Sequence, residues 1–271
     1  MAELPEEFVL AYQDSCAGLT LLFLHGFPLN SNVWEPQMEE LRDVARVLAP
    51  DLRGHGLSLA GEPPYTMQEM ARDAIRLMET IGVRAPVVVC GHSMGGYLAF
   101  EIYRQYPEWV AGLILVSTRA DADSAEGREN RDKMAKQAKQ EGVVAIADIM
   151  LPKLLAPQNY EENEELVEFV RDMMESTSLK GMEGALMAMK ERPDSMPLLP
   201  NITVPTLIIH GEEDQIVPMA EAEAMYEAIP DARLVAIHGA GHLPSLEQSL
   251  TFSEAVWDFL EYLREGEREG G

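Results

Sequence analysis

Residues 87–103 read VVVCGHSMGGYLAFEIY and join two patterns that few architectures place back to back. Positions 87–90 are apolar and rich in β-branched valine, with no polar alternation, the signature of a strand buried on both faces. From Tyr97 onward the apolar side chains recur at helical spacing, through Leu98, Ile102, Tyr103 and Tyr106. The chain has only about five residues in which to turn from strand to helix, and Gly91, Gly95 and Gly96 permit so close an approach because they carry no Cβ. A strand that feeds straight into a helix is the repeating unit of a parallel sheet covered on both faces.

The unit recurs along the chain. Apolar strand-like runs occupy 19–26, 45–51, 85–91, 111–117, 206–211 and 233–239, and helical patterns fill 32–42, 66–81, 95–106, 219–228 and 246–264. This alternation predicts an α/β fold with a mostly parallel central sheet flanked by helices. With 271 residues, 46% of them apolar, the chain can bury one large core. The alternation breaks once. Residues 119–200 carry no strand signal but several amphipathic, Met-rich helical segments, and eight of the sixteen methionines fall there, from Met134 to Met196. The expected organisation is a core domain built from 1–118 and 201–271, with 119–200 as a helical cap. Such a cap would lie over the C-terminal edge of the sheet, where sites of open α/β folds form. The polar tail, 264–271, is expected to fray.

Composition narrows the partners. The formal charge is −25, a surface that repels nucleic acid and anionic lipid. The N-terminal residues 1–10 carry acids where a secretion signal carries bases, and no run approaches the roughly 18–20 apolar residues of a membrane span. The two cysteines, Cys16 and Cys90, form neither a disulfide framework nor a metal-binding spacing. A cytoplasmic protein is expected.

The strand-to-helix turn also carries chemistry. Gly91-His92-Ser93-Met94-Gly95 matches G-x-S-x-G, in which a serine is held at the tip of a strained turn with its hydroxyl exposed above the sheet. A serine hydroxyl becomes a nucleophile only beside a base that a third group orients. Six histidines compete for the role of base. His92 sits inside the turn, with its side chain expected to point away from that of Ser93. His25 and His55 belong to glycine-containing turns, and His210 and His238 end apolar strands as hydrogen-bonded core histidines would. His242 lies in a loop after the last strand, on the same edge of the sheet as Ser93, and is the favoured base. The loop after 206–210 offers Glu212, Glu213 and Asp214, and Asp214 is favoured as the orienting acid. Asp121 and Asp123 are the runner-up position; turn and N-cap duty is the plain alternative for the three acids of the first loop. For stabilising an oxyanion, the candidates are the backbone N–H groups of Met94 and Phe27, since Pro28 has no N–H.

Five blocks stand in one order: HGFPLNSNVW, DLRGHGLS, GHSMGG, LIIHGEEDQIVP and AGHLPSLEQ. In that order they resemble the α/β-hydrolase superfamily, over about 20–118 and 201–265. Within it the chain looks most like small bacterial carboxylesterases grouped with cofactor-free haloperoxidases and enol-lactonases. Ser93 stands where an epoxide hydrolase or haloalkane dehalogenase would have aspartate. The resemblance implies two-step hydrolysis of a small-molecule ester by Ser93, Asp214 and His242; esters of short to medium acyl chain are expected because the methionines of 119–200 would form an adaptable apolar roof over Ser93. It implies no metal or organic cofactor, and a monomer or homodimer. Three alternatives share the fold: a lactonase or C–C bond hydrolase with the same triad, a perhydrolase or haloperoxidase, and a non-catalytic ligand-binding protein. A lactonase acting on anionic substrates would need a basic residue over the site, and 119–200 offers Lys153, Arg171, Lys180 and Arg192.

Overall fold

The computed structural model describes residues 10–15 and 18–269. The acidic stretch 1–9 and Cys16 lie outside them. Seven strands form one sheet: β1 (Tyr12–Asp14), β2 (Leu19–Leu24), β3 (Ala45–Pro50), β4 (Val87–His92), β5 (Val110–Val116), β6 (Thr206–Gly211) and β7 (Ala232–Ile237), in the spatial order β1-β3-β2-β4-β5-β6-β7. Every pairing is parallel except that of β1 with β3. β1 has no counterpart in the expected strands. It is three residues long, YQD, and half exposed at the sheet edge, so it carries no apolar pattern to read.

Because side chains alternate along a strand, the sheet divides the core in two. Leu22, Leu24, Val87, Val89, Leu113 and Leu115 face one side, where they meet α2 (Met67–Thr80), α3 (Met94–Gln105) and α9 (Met219–Ala228). Leu21, Phe23, Val88, Cys90, Ile114 and Val116 face the other, towards α11 (Ser249–Glu269), whose Phe252, Val256, Phe259 and Leu260 are buried. The short α1 (Glu35–Glu40) lies beside α11. The start of α2 is set by a capping box in which the Thr66 side chain accepts from the Glu69 N–H and Glu69 accepts from the Thr66 N–H. At the other end of the chain, α11 continues past the expected stop at 264 to Glu269; the polar tail is helical there.

Between β5 and β6 the chain forms α4 (Ala125–Glu141), α5 (Val143–Leu154), α6 (Pro157–Glu162), α7 (Glu164–Glu175) and α8 (Leu179–Lys190). This segment is bonded to loops that leave the C-terminal ends of the strands. Thr177 donates to the Pro28 carbonyl at 2.8 Å, Asn30 to the Ser176 hydroxyl at 3.1 Å, and the Ser178 hydroxyl to the Gly54 carbonyl at 2.9 Å. Its methionines divide. Met173, Met174, Met182 and Met189 are buried, whereas Met187 and Met196 are 40% and 37% exposed. Among the described residues no helix is long and apolar enough to cross a membrane.

Candidate active site

Ser93 lies between the last residue of β4 and the first of α3, with φ 52° and ψ −112°. A non-glycine residue in so sparsely populated a region costs about 1–3 kcal/mol and persists only where its surroundings over-determine it. Three hydrogen bonds do so. The Ser93 N–H donates to the Val116 carbonyl at 2.9 Å, and its carbonyl accepts from the Gly96 N–H at 2.9 Å and the Thr118 hydroxyl at 2.8 Å. The glycines of the turn are sterically required: a Cβ on Gly91 would overlap the Gly95 carbonyl, and one on Gly95 would overlap the Leu24 carbonyl.

Met94 is the first residue of α3, so its N–H has no intrahelical acceptor and sits at the positive end of the helix. The loop after β2 closes against the same turn. A Cβ on Gly26 would come within 3.1 Å of the Ser93 Cβ, and the buried Phe27 follows directly.

Asp214 and His242 meet. His242 Nδ1 donates to Asp214 Oδ2 at 2.7 Å, with side-chain exposures of 2% and 1%. The other carboxylate oxygen accepts from the Ile216 and Val217 N–H groups at 2.8 and 3.0 Å. Burial pushes the Asp214 carboxyl up, but His242 and these two amides outweigh it and hold it below the usual carboxylate range. An ionised Asp214 can only accept, so the proton of the neutral imidazole resides on Nδ1 and Nε2 is left bare.

His92 ties the serine turn to the histidine loop. Its Nε2 donates to the His242 carbonyl at 2.8 Å, and the two rings lie with centroids 4.8 Å apart, tilted by 59°. Burial, reinforced by the neighbouring His242, pushes the His92 imidazole down to about 3. His210, also buried, donates from Nε2 to the Val217 carbonyl and lies 3.6 Å from Asp214 Oδ2; burial holds its pKa down too. His25 donates to the Gly26 carbonyl and accepts from the Leu52 N–H, while His55 donates to the Arg53 carbonyl. The bonds to Gly26 and Arg53 are local to each turn, whereas the bond from Leu52 ties the loop after β2 to the loop after β3.

His238 departs from expectation. It follows the end of the edge strand β7, its side chain is 90% exposed, and it pairs with Glu212 at 3.0 Å. Glu213 accepts from Gln158 at the surface. Asp123 is engaged elsewhere, by Arg192 at 2.6 Å and Arg131 at 3.1 Å, and Asp121 lies 3.6 Å from Arg119. Arg192 is itself buried beneath the helices rather than on their surface, stacked 4.1 Å over the Tyr97 ring. Two residues near the site escape a reading of sequence. Thr118 braces the Ser93 carbonyl, and Glu247, five positions after His242, binds the histidine loop through the Gly241 and Leu243 N–H groups. The available signal for Glu247 is an acid close behind His242 in the stretch HLPSLEQ.

Known proteins share this arrangement of elements. The chain is similar to the 3-oxoadipate enol-lactonase 2 of Acinetobacter baylyi, 27% identical over 236 residues that cover 87% of this chain and 86% of that protein. It is 30% identical over 261 residues to a non-heme haloperoxidase of Rhodococcus erythropolis, covering 92% of this chain and 95% of that one. Among solved structures it resembles a thermophilic esterase from Thermogutta terrifontis, determined with malate bound, at 41% identity and a TM-score of 0.93; the match covers 97% of this chain and 96% of the other. A sequence profile of the alpha/beta hydrolase family matches residues 21–255. With that match spanning most of its sheet and the whole region from Gly26 to His242, the chain belongs to the alpha/beta hydrolase family.

Proposed function

We propose that the chain is a serine carboxylic-ester hydrolase in which Ser93 forms an acyl-enzyme. The observation that carries this reading is the 2.7 Å bond between the buried Asp214 and His242, which leaves Nε2 bare to act as base. His242 takes the Ser93 proton as the hydroxyl attacks the ester carbonyl. The Met94 and Phe27 N–H groups stabilise the oxyanion, a term often worth several kcal/mol in a site shielded from water. The protonated His242 delivers its proton to the leaving alcohol. Water then enters, is deprotonated by the same nitrogen, and releases the acid.

Asp214 stabilises the imidazolium formed in each step. The surrounding His92 and His210, kept neutral by burial, add no opposing charge. In this reading 119–200 acts as a cap over the site and sets substrate range by size. Of the four cations named above, Arg171 pairs with Asp148 and Glu175, Lys180 with Glu62, and Arg192 with Asp123, while Lys153 is exposed in the last turn of α5. Those commitments favour a neutral short to medium acyl ester over an anionic lactone, as does the likeness to an esterase at 41% identity. The net charge of −25 weighs against nucleic acid and anionic membranes as partners, and the reading takes the protein to be cytoplasmic, a monomer or homodimer.

The test is turnover of 4-nitrophenyl acetate together with labelling by a serine-directed phosphonate. Both should be present in the parent chain and absent from Ser93→Ala. Labelling that persists in Ser93→Ala removes Ser93 from the nucleophile's role.

A further inference from the structure

Glu247 ends the short helix α10 (Pro244–Glu247), and its carboxylate gathers four donors from two parts of the chain. One oxygen accepts from the Gly241 and Leu243 N–H groups at 2.8 and 3.2 Å, the residues on either side of His242. The other accepts from the Ala156 N–H at 2.7 Å, in the link between α5 and α6, and from Asn159 Nδ2 at 2.8 Å, in the first turn of α6 (Pro157–Glu162). The 154–159 segment makes further bonds in both directions. Leu154 O accepts from the His242 N–H at 2.9 Å, Asn159 Nδ2 donates to the Gly239 carbonyl at 3.1 Å, and Leu155 O accepts from Gln215 Nε2 at 3.2 Å. Backbones touch here without side chains between them. A Cβ on Gly241 would meet Ala156 N at 2.5 Å, and one on Gly211 would overlap the Gly241 carbonyl.

The loop that leads into His242 carries two glycines in the three residues before it, Gly239 (φ 71°) and Gly241, and has little conformational stiffness of its own. The His242 ring nevertheless must keep one nitrogen on Asp214 and the other available to Ser93. We propose that Glu247 and the 154–159 segment act as a clamp that positions His242, so that the helical insertion is part of the scaffold of the triad and not only a roof over it. The functional role rests on the reading of His242 as the base; the clamp itself is a statement about the His242–Asp214 bond. The carboxylate is suited to this because each of its oxygens serves two donors, one oxygen per chain segment. An amide in its place keeps one acceptor oxygen and turns a donor towards the other pair of N–H groups.

The experiment uses the full chain labelled with ¹⁵N-histidine. The Nδ1 proton bonded to Asp214 is assigned by its loss in Asp214→Asn, and its exchange with water is measured alongside kcat and KM for 4-nitrophenyl acetate. In Glu247→Gln and, separately, in Asn159→Ala, exchange should quicken about tenfold or more. In the same variants kcat should fall about 10- to 100-fold with KM within about twofold, the size expected of a misplacement near 1 Å. Asn159→Ala removes one arm of the clamp from the helical side and keeps the test open if Glu247→Gln does not fold. Unchanged exchange in the folded variants overturns the clamp whatever the turnover. Faster exchange in a chain whose parent form hydrolyses no ester supports the clamp and sinks the hydrolase reading instead.

Discussion

Lowering the pH from 7 to 5 should remove about 4 kcal/mol of folding stability through His55 and His92 alone, a large share of the roughly 5–15 kcal/mol a domain possesses. Burial pushes the His55 imidazole down to about 4 and the His92 imidazole to about 3, against 6.5 in an unfolded chain. His55 Nε2 and His92 Nδ1 are buried without a partner, as neutral rings permit. Below pH 6.5 the unfolded chain therefore binds protons that the folded chain refuses. The stability is complete above about 6.5 and is lost as the pH falls towards the folded values. A pH of 5 lies about 1.5 below the unfolded pKa of each imidazole and still above its folded value, which costs about 2 kcal/mol per residue.

His25 and His210 are lowered by burial as well and act in the same direction. Asp73 and Glu247, raised by burial, act oppositely, since the folded chain gains protons there as the pH falls. Asp214 and Asp123, both lowered, lose their contribution only below the ordinary carboxylate range. Urea unfolding at pH 7.5, 6.5 and 5.5, followed by tryptophan fluorescence, measures the slope. Unfolding near pH 5.5 should take up about two protons, or about 2–3 kcal/mol per pH unit. His55→Gln should remove about one of them. A stability that stays constant from pH 7.5 to 5.5 would show that burial does not hold these rings neutral.

Three further outcomes follow from the geometry. On the proposed mechanism Asp214→Asn should lower kcat about 10⁴-fold, whereas Asp121→Asn should leave it within about twofold; the reverse pattern would move the acid to the other loop. Gly95→Ala drives a Cβ into the Leu24 carbonyl and should cost about 3 kcal/mol or more, visible as a lowered midpoint in thermal unfolding. Met182→Ala, at a fully buried position, should cost about 2–5 kcal/mol, and Met187→Ala, 40% exposed, within about 0.5 kcal/mol by the same denaturant titration. An acyl-chain series assayed on both variants would show whether either side chain also grades substrate length.

Local pattern carried much of the architecture. The strands β2 to β6 are apolar runs buried on both faces, so hydrophobicity alone marks them, and glycine sterics alone mark the turn at Ser93. β1 lacked such a mark because an edge strand of three half-exposed residues is held by backbone pairing with β3, not by buried side chains. The extension of α11 to Glu269 was likewise hidden, since polar, glycine-containing residues carry no periodic apolar stripe.

By itself, then, the sequence determined a parallel α/β sheet, the strained serine between β4 and α3, and a short set of acids and histidines at one edge. Which members of that set meet was decided by tertiary structure. Glu212, Glu213 and Asp214 are adjacent and chemically alike, but only Asp214 has one oxygen taken by the Ile216 and Val217 amides and the other directed at His242. His210 and His238 lie at or just beyond strand ends in similar sequence contexts. One is buried and the other exposed because β6 has a neighbour on each side and β7 is an edge, an order set by long-range pairing. Glu247 belongs to the same class: its donors lie 4 to 91 positions away, and only the folded chain brings them to one carboxylate.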